Sequence, residues 1–189
     1  MNKELEKLVK QLDSKLKEEK IQALEKLSSS SDIQIIEKII SKLDDEDIKV
    51  RGEAFSSLIL NKNEISDLLV KSLSSDSKNI RGFAVLVLAN RNDTKAIPEI
   101  SKLVNDESSM VRSCVLGALG HLKATQAKDV IENCLTDSNL EVKKSALQAA
   151  IDINDAISEN KIKEISKDKD PELERLLVNI KRISGPEGI

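Results

Sequence analysis

The feature that most constrains this chain is a motif that returns about every 31 residues. Aligned on the position of Arg112, the copies carry Lys20, Arg51, Arg81, Arg112, Lys143 and Glu174, separated by 31, 30, 31, 31 and 31 residues. Three residues beyond each anchor stands a small or apolar side chain: Ala23, Ala54, Ala84, Val115, Ala146 and Leu177. One residue before it the last five copies have Val50, Ile80, Val111, Val142 and Leu173, while the first has Glu19. Repetition at this period predicts an array of small units, because a unit so thin cannot bury both of its faces alone.

The stretch 106–120, DESSMVRSCVLGALG, shows what one copy predicts locally. Val111, Val115, Leu116 and Leu119 fall at steps of three and four, which marks the buried stripe of a helix. Asp106, Glu107, Ser108 and Ser109 precede it and offer oxygen acceptors to the free N–H groups of a first turn, so the helix should begin near Ser108 or Ser109. Gly117 and Gly120 lie inside that helix, where they are expected to permit close helix packing. By the same comparison Val50, Ala54, Phe55, Leu58, Val85, Leu116 and Leu147 are assigned to the core.

Acidic turns precede the other anchors too: 44–47, Asp76, Asp137, then Asp168 and Asp170. Before each turn lies a second apolar-periodic segment, at 33–43, 65–73, 96–104, 127–135 and 156–165. Pro98 and Pro171 fit first turns, where a missing N–H costs nothing. Each unit therefore reads as two short helices and two turns.

Composition agrees. Hydrophobic residues make up 39%, but Trp and Tyr are absent and only Phe55 and Phe83 are aromatic, so Ile, Leu, Val and Ala must fill the interior. That suits thin layers of closely packed helices. Charged residues make up 33% with a net charge of -3, which gives no sequence-wide attraction to nucleic acid or anionic lipid. No apolar run approaches the roughly 18 residues of a membrane span. The opening MNKELEKLVKQLDSKL lacks the apolar run and cleavage site of a signal peptide, and two cysteines make no disulfide framework. A cytoplasmic monomer is expected. Residues 2–12 read as a charged capping helix, the sixth unit departs from the pattern with Glu174 and Arg175, and 185–189 read as a frayed tail.

The segments VRGEAFSSLI around Arg51, IRGFAVLVLA around Arg81 and VRSCVLGALG around Arg112, each behind its acidic turn, resemble HEAT repeats, especially the short HEAT-like type first recognised in phycobilisome lyases. The resemblance spans about residues 12–184. It implies an all-α, armadillo-like fold, a right-handed α-α superhelix (solenoid) of about six HEAT-like helical pairs, making 1–189 a single repeat domain. It also implies that the second helix of each pair lines the concave side and that turn aspartates and helix arginines form a structural ladder. Carried onto this chain, the ladder comprises Asp45, Asp106 and Asp137 with Arg51, Arg81, Arg112 and Lys143; Ser75 takes the aspartate position of the third unit, with Asp76 beside it as a substitute.

Convergent chemistry is absent from the pattern. His121 is the only histidine, and Cys114 precedes it by seven residues, which places the two about 10 Å apart along a helix, too far for a nucleophile and its base. Two cysteines and one histidine lack the paired spacing of a zinc site. The acidic turn 43–47 lacks the glycine and distal glutamate of a calcium loop, and no glycine-rich phosphate loop occurs. No catalytic residue, metal or cofactor is expected, and the chain is read as a non-enzymatic protein.

One stripe of the second helices does not repeat: Lys49, Glu53, Ser56, Leu60; Asn79, Phe83, Leu86, Asn90; Met110, Cys114, Gly117, His121; Glu141, Ser145, Gln148, Asp152. Its outer members are mostly polar, while its centre carries Phe83, Leu86, Met110 and Cys114. An apolar island in a polar rim is the usual form of a protein-recognition surface; the alternative is that these residues are buried between units. The sequence-level assignment is a protein-interaction scaffold whose concave face binds a protein or peptide through Phe83, Leu86, Asn90, Met110, Cys114 and His121, with Glu53, Gln148 and Asp152 on the rim. Three other readings remain open. A nucleic-acid-binding α-solenoid would place Arg51, Arg81, Arg112 and Lys143 on phosphates, against an acidic balance and without stacking aromatics. A bilin lyase or isomerase-like protein would need a chromophore pocket. A repeat module without a dedicated ligand needs neither.

Overall fold

The computed structural model describes residues 3–184, so the tail expected at 185–189 lies outside the described residues, as does Asn2 of the opening helix. Twelve α-helices and no strand occur among the described residues. They fall into two compact units, Met1–Arg91 and Asn92–Ile189. In the first are α1 (Lys3–Gln11), α2 (Lys17–Leu27), α3 (Ile33–Ser41), α4 (Ile48–Leu60), α5 (Ser66–Ser72) and α6 (Lys78–Asn90). In the second are α7 (Ile97–Lys102), α8 (Ser109–His121), α9 (Lys128–Asn133), α10 (Leu140–Asp152), α11 (Glu159–Ile165) and α12 (Pro171–Ser184).

The helices alternate in length, the first of each pair running six to nine residues and the second eleven to fourteen. Helices this short are marginal alone, so their stability comes from packing. Within the first unit α2, α4 and α6 pack side by side, with α3 and α5 against each other and against α4 and α6; in the second, α8, α10 and α12 do the same. The repeating positions supply the contact: Ala23, Ala54, Ala84, Val115 and Ala146 are all fully buried, and so are Val85, Leu116 and Leu147. Alanine at the third position lets neighbouring helices approach, while each buried Leu or Ile contributes about 1.5–3 kcal/mol.

Gly120 serves the same end. A Cβ there would meet Asp152 Oδ2 at 2.8 Å and the Ala149 Cα at 3.1 Å, so α8 and α10 touch where neither has a side chain to spare. Gly117 does not: a Cβ there meets nothing within 4 Å, and the residue is exposed, which corrects the packing role expected for it. The core assignment of Phe55 is also corrected. Its ring replaces the smaller Val85, Leu116 and Leu147 of the equivalent positions and stays half-buried.

Helix starts and stops follow from local chemistry. α8 begins at Ser109 as the sequence predicts, but Ser108 makes no side-chain cap. Asp106 Oδ1 instead accepts the Ser108 N–H at 2.9 Å, closing the turn before the helix. At their other ends α6, α8 and α10 are followed by Asn92, Lys123 and Asn154, all left-handed with φ of 54°, 52° and 55°. After α8 the N–H groups of Lys123 and Ala124 donate to the carbonyls of Gly120 and Leu119, which absorbs carbonyls that the helix leaves free.

The one spacing of 30 residues explains the exception. The loop after α4 is one residue shorter, its C-cap Asn61 sits at φ -62° and ψ 122°, and no left-handed residue follows. The free carbonyls are taken by a distant cation. Arg91 donates from Nη1 to the carbonyl oxygens of Leu58 and Asn61, and from Nη2 to that of Asn63 at 2.9 Å. The buried Asn61 side chain donates to the Ser30 carbonyl at 2.9 Å. Truncating Arg91 to Ala is expected to cost about 1.5–3 kcal/mol in urea denaturation, the value of a hydrogen bond to a charged group. A loss under 0.5 kcal/mol would show that water replaces the guanidinium.

Candidate functional site

The anchor residues are built into the turns. Arg51 Nη1 donates to the carbonyl oxygens of Asp45 and Glu46 at 2.7 and 3.1 Å. Arg81 donates to those of Ser75 and Asp76 at 2.9 and 3.0 Å, and Arg112 to those of Asp106 and Glu107 at 2.8 and 3.3 Å. Each arginine thus ties the first turn of its helix to the turn preceding it.

Carboxylates of the following turn meet several anchors. Lys20 Nζ reaches Asp45 Oδ2 at 2.7 Å; Arg112 grips Asp137 through both Nε and Nη2, at 2.8 and 2.9 Å; Lys143 pairs with Asp168. Lys20 and Asp168 are rungs the sequence reading left out. Arg51 has no carboxylate partner among the described residues, because Ser75 stands where the next aspartate would be and its hydroxyl accepts the Ser77 N–H instead. Asp76 does not substitute: its carboxylate joins no ion pair among the described residues.

Residues expected to contact a partner lie at the surface in both units. In the first, Glu53, Phe83 and Leu86 are half-buried and Asn90 is exposed, its amide donating back to the Leu86 carbonyl at 2.8 Å. In the second, Met110, Cys114 and Asp152 are half-buried and His121 and Gln148 exposed. Gln148 Nε2 donates to Asp152 Oδ1 at 3.0 Å. Cys114 lies 3.7 Å from the Met110 sulfur, and burial pushes its thiol up to about 11, so it is protonated and weakly nucleophilic at neutral pH.

The apolar island of the first unit is larger than the sequence indicated. The Phe55 and Phe83 rings meet at a centroid separation of 6.1 Å, tilted by 59°, an edge-on arrangement worth about 0.5–1.5 kcal/mol beyond burial. Leu60 is 64% exposed at the end of α4 and Ile59 half-buried beside it. Ile59 and Leu86 follow Phe55 and Phe83 by about one turn on α4 and α6, whereas Leu60 falls on the Glu53 side of α4. Leu16, Ile33 and Ile48 are also exposed, but they stand singly at helix starts. A separate hollow of about 240 Å³ opens beside the shorter helices, between α3, α5 and the start of α6, bordered by Glu37, Ile40, Leu68 and Lys71. A Lys71–Glu37 ion pair of 3.2 Å spans it.

Next to the patch lies a second feature that the repeat comparison missed. Burial, reinforced by the neighbouring Glu25 carboxylate, raises Glu53 above the usual carboxylate value, and the Ser57 hydroxyl, whose one proton is contested by the Leu24 carbonyl, stands 3.5 Å from its Oε1. Neither Glu25 nor Glu53 has an ion-pair partner among the described residues. Asp137 is in the opposite situation. Burial alone would raise it, but hydrogen bonds from Arg112 and from the Asn139 N–H outweigh that and hold it low.

Comparison with known proteins places the chain. Residues 66–152, α5 to α10, match the family model for HEAT repeats. Over that span the sequence is that of HEAT repeats. An engineered protein solved by a structural genomics consortium superposes with a TM-score of 0.60 at 20% identity, over 97% of each chain. A designed armadillo repeat protein in complex with the peptide (KR)4 gives 0.56 at 20% identity, over 96% of this chain and 100% of that one. The complex of CpcE and CpcF of phycocyanin lyase from Nostoc sp. gives 0.57 at 20% identity, over 92% and 74%. These likenesses establish the fold class, an all-α repeat solenoid. No curated protein matches by sequence.

The two carboxylates should respond oppositely to pH. Asp137, depressed in the folded state, stabilises above the ordinary carboxylate value and loses that contribution as pH falls through its folded pKa. Asp137→Asn should therefore cost about 1–3 kcal/mol at pH 7 and progressively less in acid, read by urea denaturation at both pH values. Glu53, raised in the folded state, opposes folding once ionised. Glu53→Gln should leave the chain at least as stable at pH 7, with any gain vanishing below the ordinary carboxylate value. A destabilised Glu53→Gln would mean the carboxylate is a structural acceptor.

Proposed function

We propose that this HEAT-repeat chain is a non-enzymatic scaffold that binds a protein segment on the face presented by its longer helices. In the first unit the contact residues are Phe83, Leu86 and Asn90, with Glu53 beside them. In the second they are Met110, Cys114 and His121, with Gln148 and Asp152. The observation that carries the reading is the contact of half-buried Phe55 and Phe83, with half-buried Leu86 beyond it, on a chain otherwise rich in exposed charge. Apolar groups grouped on one face while the helices' other faces are polar or packed mark an interaction surface. A designed armadillo protein of similar fold holds a peptide, which supports the class of partner. The arginines at the anchors are spent on turn carbonyls and carboxylates, which leaves little to recommend a phosphate-binding role.

A second reading, a bilin lyase or isomerase-like role, is favoured only by the structural likeness to the phycocyanin lyase complex. A pigment-transfer assay with an apo-phycobiliprotein separates it from the first.

The test is selection of a displayed peptide library on the purified chain, followed by the double substitution Phe83→Glu with Met110→Glu. Selected peptides should bind the double variant at least tenfold more weakly while its circular dichroism stays that of the parent. If the variant unfolds, or if nothing is selected above an unrelated helical protein, the binding assignment of this face is wrong.

A further inference from the structure

The longer-helix face of the first unit combines two unlike features on opposite sides of α4. On the side toward α2, Glu53 lies beside Glu25, and contact between these helices is fixed by the Ser57 hydroxyl donating to the Leu24 carbonyl at 3.2 Å. On the side toward α6, Phe55 meets Phe83, and half-buried Ile59 and Leu86 follow them by about one turn on α4 and α6. Along the equivalent stripe of α2, α4 and α6 stand Glu18, Glu25 and Glu53 against the single cation Lys49, so the face is acidic where it is not apolar. Lys26 follows Glu25 in α2, and among the described residues no ion pair joins it to either carboxylate.

The carboxylate pair is costly as it stands, being partly desolvated and mutually repelling, and a cation placed between the two would relieve both. The apolar patch needs a different chemistry, a side chain that removes it from water. Packed helices lie about 8–10 Å apart, and the two features flank one helix; a polyproline II chain advances about 3.1 Å per residue with three residues per turn, so side chains three positions apart face the same way and meet both demands.

We propose that the first unit binds a peptide in the polyproline II conformation bearing a basic and an apolar side chain at positions i and i+3, the cation held between Glu25 and Glu53 and the apolar group seated on Phe55 and Phe83. This rests on the scaffold reading and adds the partner's chemistry and spacing. Arginine fits the cation position best, because its planar group can donate to two carboxylates at once.

The experiment is fluorescence anisotropy with defined labelled peptides on the full chain. The set holds Arg and Leu three apart in either order, the same peptide with Gln for Arg, with Glu for Arg, and with the two groups adjacent. One order of the Arg/Leu peptide should bind, with the Gln and adjacent-spacing peptides at least tenfold weaker and the Glu peptide weaker still. Glu25→Gln with Glu53→Gln should remove most of the advantage of Arg over Gln and leave the Gln peptide unaffected, whereas Phe83→Ala should weaken both. Rising salt should weaken the Arg peptide selectively. Equal binding of Arg and Gln peptides, or indifference to spacing, overturns the proposal while leaving the scaffold reading intact. Failure of every defined peptide, when library selection also yields none, removes both. Self-association of the chain that Phe83→Glu abolishes would instead identify a second copy as the occupant.

Discussion

Thinness governs this molecule. A pair of helices of six to fourteen residues can bury one face against a neighbouring pair and must leave another in water, so every helix is stabilised by the one beside it. That constraint makes alanine the repeated residue at the closest approach. It makes Gly120 necessary where α8 meets Ala149 and Asp152 of α10. It also sets the role of the anchor arginines, which fasten α4, α6 and α8 to the turns that precede them. Asp45, Asp137 and Asp168 then serve the anchors of the preceding repeats, and the same carboxylates Asp45 and Asp137 close their own turns through the N–H groups of Asp47 and Asn139.

Because the architecture uses the repeating positions, the others are free to differ, and this is where the surface acquires character. Phe83 occupies the place that Glu53, Cys114 and Ser145 hold in other copies, and Phe55 overfills a slot built for valine or leucine. Together they form an aromatic contact that no other pair has, in a chain with only two aromatic residues. Glu53 is kept in a setting that disfavours its charge. Residues that work against folding on an exposed face are those for which binding, rather than stability, gives a physical reason.

The period, the helical pairs, the start of α8 and the buried faces were legible in the sequence because each depends on side chains a few residues apart. What was not legible depends on chain segments about thirty residues apart. The spacing of 30 after Arg51 was visible as a number, but that it deletes a left-handed residue and brings Arg91 onto the Leu58, Asn61 and Asn63 carbonyls requires the folded loop. Glu25 carries no signal in the repeat pattern because its importance lies in neighbouring Glu53 across two helices. Phe55 was assigned to the core from the positions it aligns with, and its size decided otherwise. Gly117 and Gly120 look alike in sequence; only the approach of α10 distinguishes them.

The central claim is that recognition belongs to the non-repeating residues of the longer helices. Amide chemical-shift mapping of the isotope-labelled chain with a selected peptide tests it most directly. Perturbations should centre on Glu53, Leu60, Phe83 and Leu86 in the first unit, with α3 and α5 quiet. Perturbations centred instead on Glu37, Leu68 and Lys71, around the hollow beside the shorter helices, would contradict it.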